Sequence, residues 1–253
     1  MISKSTLGRL FFALALVASG ILQLATGEFV RLVPPLPAWI PGHSFLAYLV
    51  GVVLILAGAA IGFGRGALGA AATVGALLLL SLVGLQIPKA LADPWSGFQW
   101  TNPCKTLALL GGLIVLANSL PEIGASSGLA RLFRRLAPLG PVFFSAFLIV
   151  GGIQHFVYVD FVIKLVPEWV PGARYWVFFT GLALIAGGVG ILIPRTSRLA
   201  ATWVGIMILL WVVLLHIPRA IGLHSAGETA AIFEALAMSG IGFLLADRDR
   251  ARR

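Results

Sequence analysis

Four side chains carry most of the chemistry on offer in this chain: His155, Tyr158, His216 and Glu234. Imidazole changes its charge near neutral pH, and a carboxylate buried in an apolar segment is costly unless it has a use. Two imidazoles and one carboxylate in a single layer suit two tasks. They can hold a transition metal or relay protons to a bound quinone. Tyr158 follows His155 by about one helical turn and can share such a pocket. The plainer alternative is that histidines near helix ends bond their neighbours or face headgroup water. No HxxxH or HExxH spacing puts two ligands on one helix face, so no metal is assigned, no catalytic residue is named and the cofactor is left open. His43 and His224 read as solvated loop residues.

The elements that must position these groups are set by composition. Of the 253 residues, 59% are hydrophobic and only 11% charged, with a mean hydropathy of +1.01. A soluble domain carries about 25% charged residues, so most of this surface belongs in lipid. A helix crossing the hydrocarbon needs about 20 apolar residues, and open chain is not tolerated there. Eight spans follow, at 9–27, 45–63, 67–87, 105–120, 139–157, 174–193, 199–217 and 229–246. The basic, apolar start has the look of a signal peptide, but its counterpart in mid-chain marks it as a retained helix. The single cysteine, Cys104, excludes an internal disulfide and a CxxC pair.

Charge gives the orientation. Lys4, Arg9, Arg65, Arg131, Arg134, Arg135, Arg195, Arg198, Arg248, Arg250, Arg252 and Arg253, twelve of the eighteen cations, fall on one side of these spans. The positive-inside bias then puts both termini in the cytoplasm of an inner-membrane protein. The net charge of +9 is accounted for by these loops, and no nucleic-acid partner is expected; the bilayer itself is the partner that composition names. "LARLFRRLA" at 129–137 reads as a short basic helix lying on anionic lipid.

The chain also matches itself. "ASGILQLATGEFV" at 18–30 aligns with "VGGIQHFVYVDFV" at 150–162, "LQIPKAL" at 85–91 with "LHIPRAI" at 215–221, and "KTLALLGGLIVLA" from 105 with "EALAMSGIGFLLA" from 234. The expected fold is therefore an all-α integral membrane protein of eight helices in two parallel four-helix repeats. The first occupies 1–120 and the second 139–253, with a basic cytoplasmic linker at 121–138. An even number of spans per unit makes the repeats parallel. Ile-Pro in each copy predicts a break or kink where the third helix reaches the outer surface.

Features common to both halves serve the scaffold, and features that differ are where the halves specialise. Glu28 and Asp160 recur after the first helix of each unit, Lys89 and Arg219 after the third, and they read as structural acid–base pairs at the outer rim. In the other group Gln23 becomes His155, Gln86 becomes His216 and Lys105 becomes Glu234. If the fourth and eighth helices meet at the pseudo-twofold axis, Lys105 and Glu234 pair and join the halves.

On "GGIQHF" at 151–156, "VPEWVPG" at 166–172 and "TGLALIAGGVGILIPRTSRLAA" at 180–201, the second half resembles the DoxX-like family of small four-helix membrane proteins. Glu234 opening the last helix fits as well, and the first half looks like a diverged copy. The resemblance implies an accessory or anchoring role beside a redox partner protein or a quinone, and it makes His155 and Glu234 the positions most worth testing. The alternatives are a carrier or channel for a small solute, and an assembly factor for another membrane protein.

Overall fold

In a computed structural model of the chain the described residues are 3–30, 32, 41–120 and 127–248. They form helices α1 (Lys4–Thr26), α2 (His43–Phe63), α3 (Ala67–Ser81), α4 (Ile87–Ala92), α5 (Thr101–Asn118) and α6 (Gly128–Leu136). These are followed by α7 (Leu139–Val157), α8 (Val159–Ile163), α9 (Ala173–Leu192), α10 (Ser197–Trp211), α11 (Ile217–Leu223) and α12 (Ala226–Asp247). No strand occurs among the described residues. Eight helical segments are long and apolar enough to cross a membrane. Large apolar side chains such as Leu56, Phe63, Leu80, Leu182 and Trp203 are exposed on their outer faces, as expected where the surrounding solvent is hydrocarbon.

The helices close into a ring. α1 packs on α2, α2 on α3, and α3 on α5; α5 then packs on α7, α7 on α9, α9 on α10, and α10 on α12, which returns to α1. α5 and α12 also touch each other, and their segments are the most enclosed of the eight. Close approach depends on glycine. A Cβ placed on Gly8 would stand 2.5 Å from the Gly240 carbonyl oxygen, and one on Gly111 would stand 2.6 Å from that of Gly140. Small residues substitute here for the hydrophobic force that lipid cannot supply between helices. The two ends of the described chain share a face, since Asp247 accepts hydrogen bonds from the backbone N–H and hydroxyl of Ser5.

The Ile-Pro sequences do not break their helices. Residues 82–86 and 212–216 form π-turns, in which the Ile87 N–H donates to the Leu82 carbonyl and the Ile217 N–H to that of Val212. The helix then runs on as α4 and α11, each with proline in its first turn. Proline lacks the N–H and its ring would meet the carbonyl four residues back. A turn widened by one residue accommodates both defects, and such π-bulges recur at functional sites. The expected span ends at 87 and 217 accordingly move out to 92 and 223.

Candidate functional site

The polar residues of the half remote from Ser5 and Asp247 fall into three groups, each positioned by a different packing event. At the centre Lys105, one turn into α5, donates from Nζ to Glu234 Oε2 of α12 at 2.9 Å. The Glu234 side chain is 9% exposed and that of Lys105 25%. Seven residues further inward on both helices, a Cβ on Gly112 would fall 2.5 Å from Ile241. The two helices therefore meet along a line that holds the ion pair outside and a dry contact inside. Glu234 thus serves Lys105 and is not held open for a ligand.

The second group lies in the first half of the chain and is sealed. Gln86, which ends the first π-turn, donates to the Ser81 hydroxyl at 3.0 Å and accepts from the Thr106 hydroxyl at 3.0 Å. Gln23 donates to the Ala47 carbonyl of α2. Gln23, Ser81, Gln86 and Thr106 are all buried; the Gln23 amide ties α1 to α2 and the Thr106 hydroxyl ties α5 to the first π-turn.

The third group is the histidine layer. His155 Nδ1 lies 2.7 Å from the Gly151 carbonyl, one turn back on α7. A carbonyl only accepts, so Nδ1 carries the proton in that contact and Nε2 of the neutral ring is an acceptor. The ring stacks on Trp211, with centroids 6.4 Å apart and planes at 26°. Trp211 is the last residue of α10 before the π-turn that ends at His216. His216 closes that turn, five residues on from Trp211. His155, Trp211 and His216 are each only half-buried. This aromatic and imidazole edge is open where the glutamine layer is closed.

Tyr158 does not join it. Its ring stacks on Phe98 at 4.0 Å between centroids, in the 3-10 turn Gly97–Trp100 that leads into α5. The neighbouring Gln154 donates to the Gly97 carbonyl and to the Thr101 hydroxyl. Tyr158 and Gln154 thus fasten the end of α7 to the start of α5. No cluster of three or more histidine, cysteine and acidic side chains that would hold a metal is found among the described residues.

The rim pairs form differently from expectation. Asp160 pairs with Arg174 at 3.2 Å, and Arg219 pairs with Glu228 at 3.2 Å while also donating to the Lys164 carbonyl. Glu28 faces His43 at 3.8 Å, and Lys89 is exposed. The reason is proximity. The loop after α8 brings Arg174, at the start of α9, back over Asp160, and Glu228 lies in the first turn of α12 beside α11. Arg250, Arg252, Arg253 and the whole first third of the 121–138 linker lie outside the described residues.

Trp211, Gln154 and Thr106 were not singled out in the sequence. A tryptophan five residues before a histidine is the signal for the first, but only when a π-turn is known to separate them.

Fold and site together define a polytopic helical bundle of the membrane-spanning type, with a half-open imidazole–indole edge and a central ion pair. A family described as Domain of unknown function (DUF8561) matches residues 144–242, from the body of α7 almost to the end of α12. No curated protein and no solved structure matches the chain.

Proposed function

We propose that this protein is an accessory component of a membrane redox system that contacts a quinone at the His155–Trp211–His216 edge. One observation carries the reading: the same outer layer is closed in one half of the chain and half-open in the other. Gln23, Ser81 and Gln86 align with His155, Trp211 and His216 in the self-match of the sequence. The first three are buried and hydrogen-bonded into the bundle, and the last three are half-buried. An indole face and imidazoles reached from the hydrocarbon suit a flat, apolar quinone head, whose reduced form carries hydroxyls that can donate to the Nε2 acceptor of His155.

In this reading the chain is two parallel DoxX-like four-helix units about an axis near the membrane normal. Several contacts support it. α1 against α12 mirrors α7 against α5, with Gly8–Gly240 answering Gly140–Gly111. The two π-turns correspond, and Lys105 meets Glu234 at its own aligned position, which is what a pair on a twofold axis does. The region matching the family of unknown function falls within one such unit. The positive side of the spans is cytoplasmic in this reading and the membrane is the inner one. A solute path along the axis is disfavoured by the tight Gly112–Ile241 contact.

The test is quinone binding by the full-length protein in phospholipid nanodiscs, followed by quenching of indole emission with a short-chain ubiquinone or menaquinone. Saturable quenching that is lost in Trp211→Phe and weakened about tenfold or more in His155→Ala plus His216→Ala is expected. Quenching that is linear in quinone, or unchanged by these substitutions, refutes the proposal.

A further inference from the structure

We infer that the opposite, positively charged face carries a site for the headgroup of one anionic phospholipid, in the cavity between the start of α7, the end of α9 and Arg248. The cavity measures about 280 Å³ and is lined by Pro138, Pro141, Val142, Ile191, Leu192 and Arg248. Its chemistry is divided. One wall is Arg248, whose guanidinium is a planar donor fork matched to phosphate oxygens. The remaining walls are proline and aliphatic surface. A soluble anion satisfies only the first wall, whereas a phospholipid satisfies both.

The surroundings extend this match in two directions. Toward the hydrocarbon, Val142 and Leu192 are each 46% exposed, and Leu139 and Ile193 beside them remain exposed. They continue the apolar wall outward from the cavity, along the path that acyl chains would follow. The volume is suited to a phosphate with its glycerol, and the chains lie against α7 and α9.

Toward water the charge is concentrated. α6 runs straight into the cavity through Ala137 and Pro138. It keeps Ala130 and Phe133 buried while Arg131, Arg134 and Arg135 are exposed. Arg195, in the turn that follows α9, and Arg198, in the first turn of α10, are exposed. The only acid of this face among the described residues is Asp247, and it accepts hydrogen bonds from Ser5. Each nearby cation attracts an anionic surface by about 1 kcal/mol, so the face is set to gather acidic lipid while the cavity selects one molecule of it.

The experiment is native mass spectrometry of the full-length protein released from detergent, titrated with phosphatidylglycerol, phosphatidylcholine or inorganic phosphate. One phosphatidylglycerol retained per chain is expected, at tenfold or greater preference over phosphatidylcholine and unaffected by millimolar inorganic phosphate. Arg248→Gln is expected to lower its retention about tenfold, the loss of a charge-assisted hydrogen bond. Val142→Trp, which fills the cavity from its exposed side and leaves the cation in place, is expected to do the same, and Leu80→Trp on the distant lipid face to do nothing. Equal retention of the two lipids, displacement by inorganic phosphate, or indifference to Val142→Trp overturns the inference. Should Arg248→Gln fail to fold, Val142→Trp decides alone. Neither substitution touches the histidine edge, so quinone quenching is expected to survive both.

Discussion

The Lys105–Glu234 pair offers the sharpest quantitative test, because it joins the two central helices through one contact at 2.9 Å. Removing the lysine leaves a carboxylate whose side chain is 9% exposed with no countercharge. Breaking a buried pair from that side costs about 3–5 kcal/mol. Removing the carboxylate is less severe. Lys105 is 25% exposed and lies near the start of α5, so its long stem can carry the ammonium to water, and a cost of about 1–3 kcal/mol is expected. The charge-exchanged double variant, Lys105→Glu with Glu234→Lys, puts the carboxylate at the more exposed position and restores the pair. It is expected to recover about 1–3 kcal/mol over the sum of its two single variants, the usual coupling between residues in contact. This exceeds the roughly 0.6 kcal/mol average for hydrogen bonds between membrane helices, because both partners are charged. Reversible unfolding in mixed micelles, run on the wild type, two singles and the double, gives the coupling directly. Strict additivity of the two single costs would refute both the pair and the placement of α5 against α12.

Other outcomes follow from particular contacts. Gly240→Ala and Gly111→Ala drive a methyl to within 2.8 Å and 2.6 Å of the Gly8 and Gly140 carbonyl oxygens. Each is expected to cost about 1–3 kcal/mol in the same unfolding assay, whereas Gly69→Ala, which meets nothing within 4 Å, should be neutral or slightly stabilising. Gln86→Ala strips the Ser81 and Thr106 hydroxyls of a buried partner and is expected to lower stability by about 1–3 kcal/mol, read as a drop in melting temperature. Tyr158→Phe keeps the ring on Phe98, so quinone quenching should be unchanged; a loss would return Tyr158 to the site.

Much of the architecture was legible in the sequence because lipid imposes a simple rule. Every backbone polar group must be satisfied inside its own segment, so eight apolar runs of the right length had to become eight helices. The proline positions were legible too, but not their consequence. Whether a helix breaks or widens at Pro88 and Pro218 depends on where the carbonyls of the preceding turn can go, and neighbours in space decide that.

The sequence by itself determined that this protein is a helical membrane bundle and which polar residues lie in the layer remote from its most basic face, since hydropathy and length are local properties. Only the tertiary structure decided the partners. It met the condition on which Lys105 and Glu234 were expected to pair, gave Asp160 to Arg174, Arg219 to Glu228 and Tyr158 to Phe98, and left His155 beside Trp211. Side-chain pairing depends on distances of a few ångströms between helices far apart in the chain, and those distances are set by how glycine-lined backbones pack, a quantity that no single segment encodes.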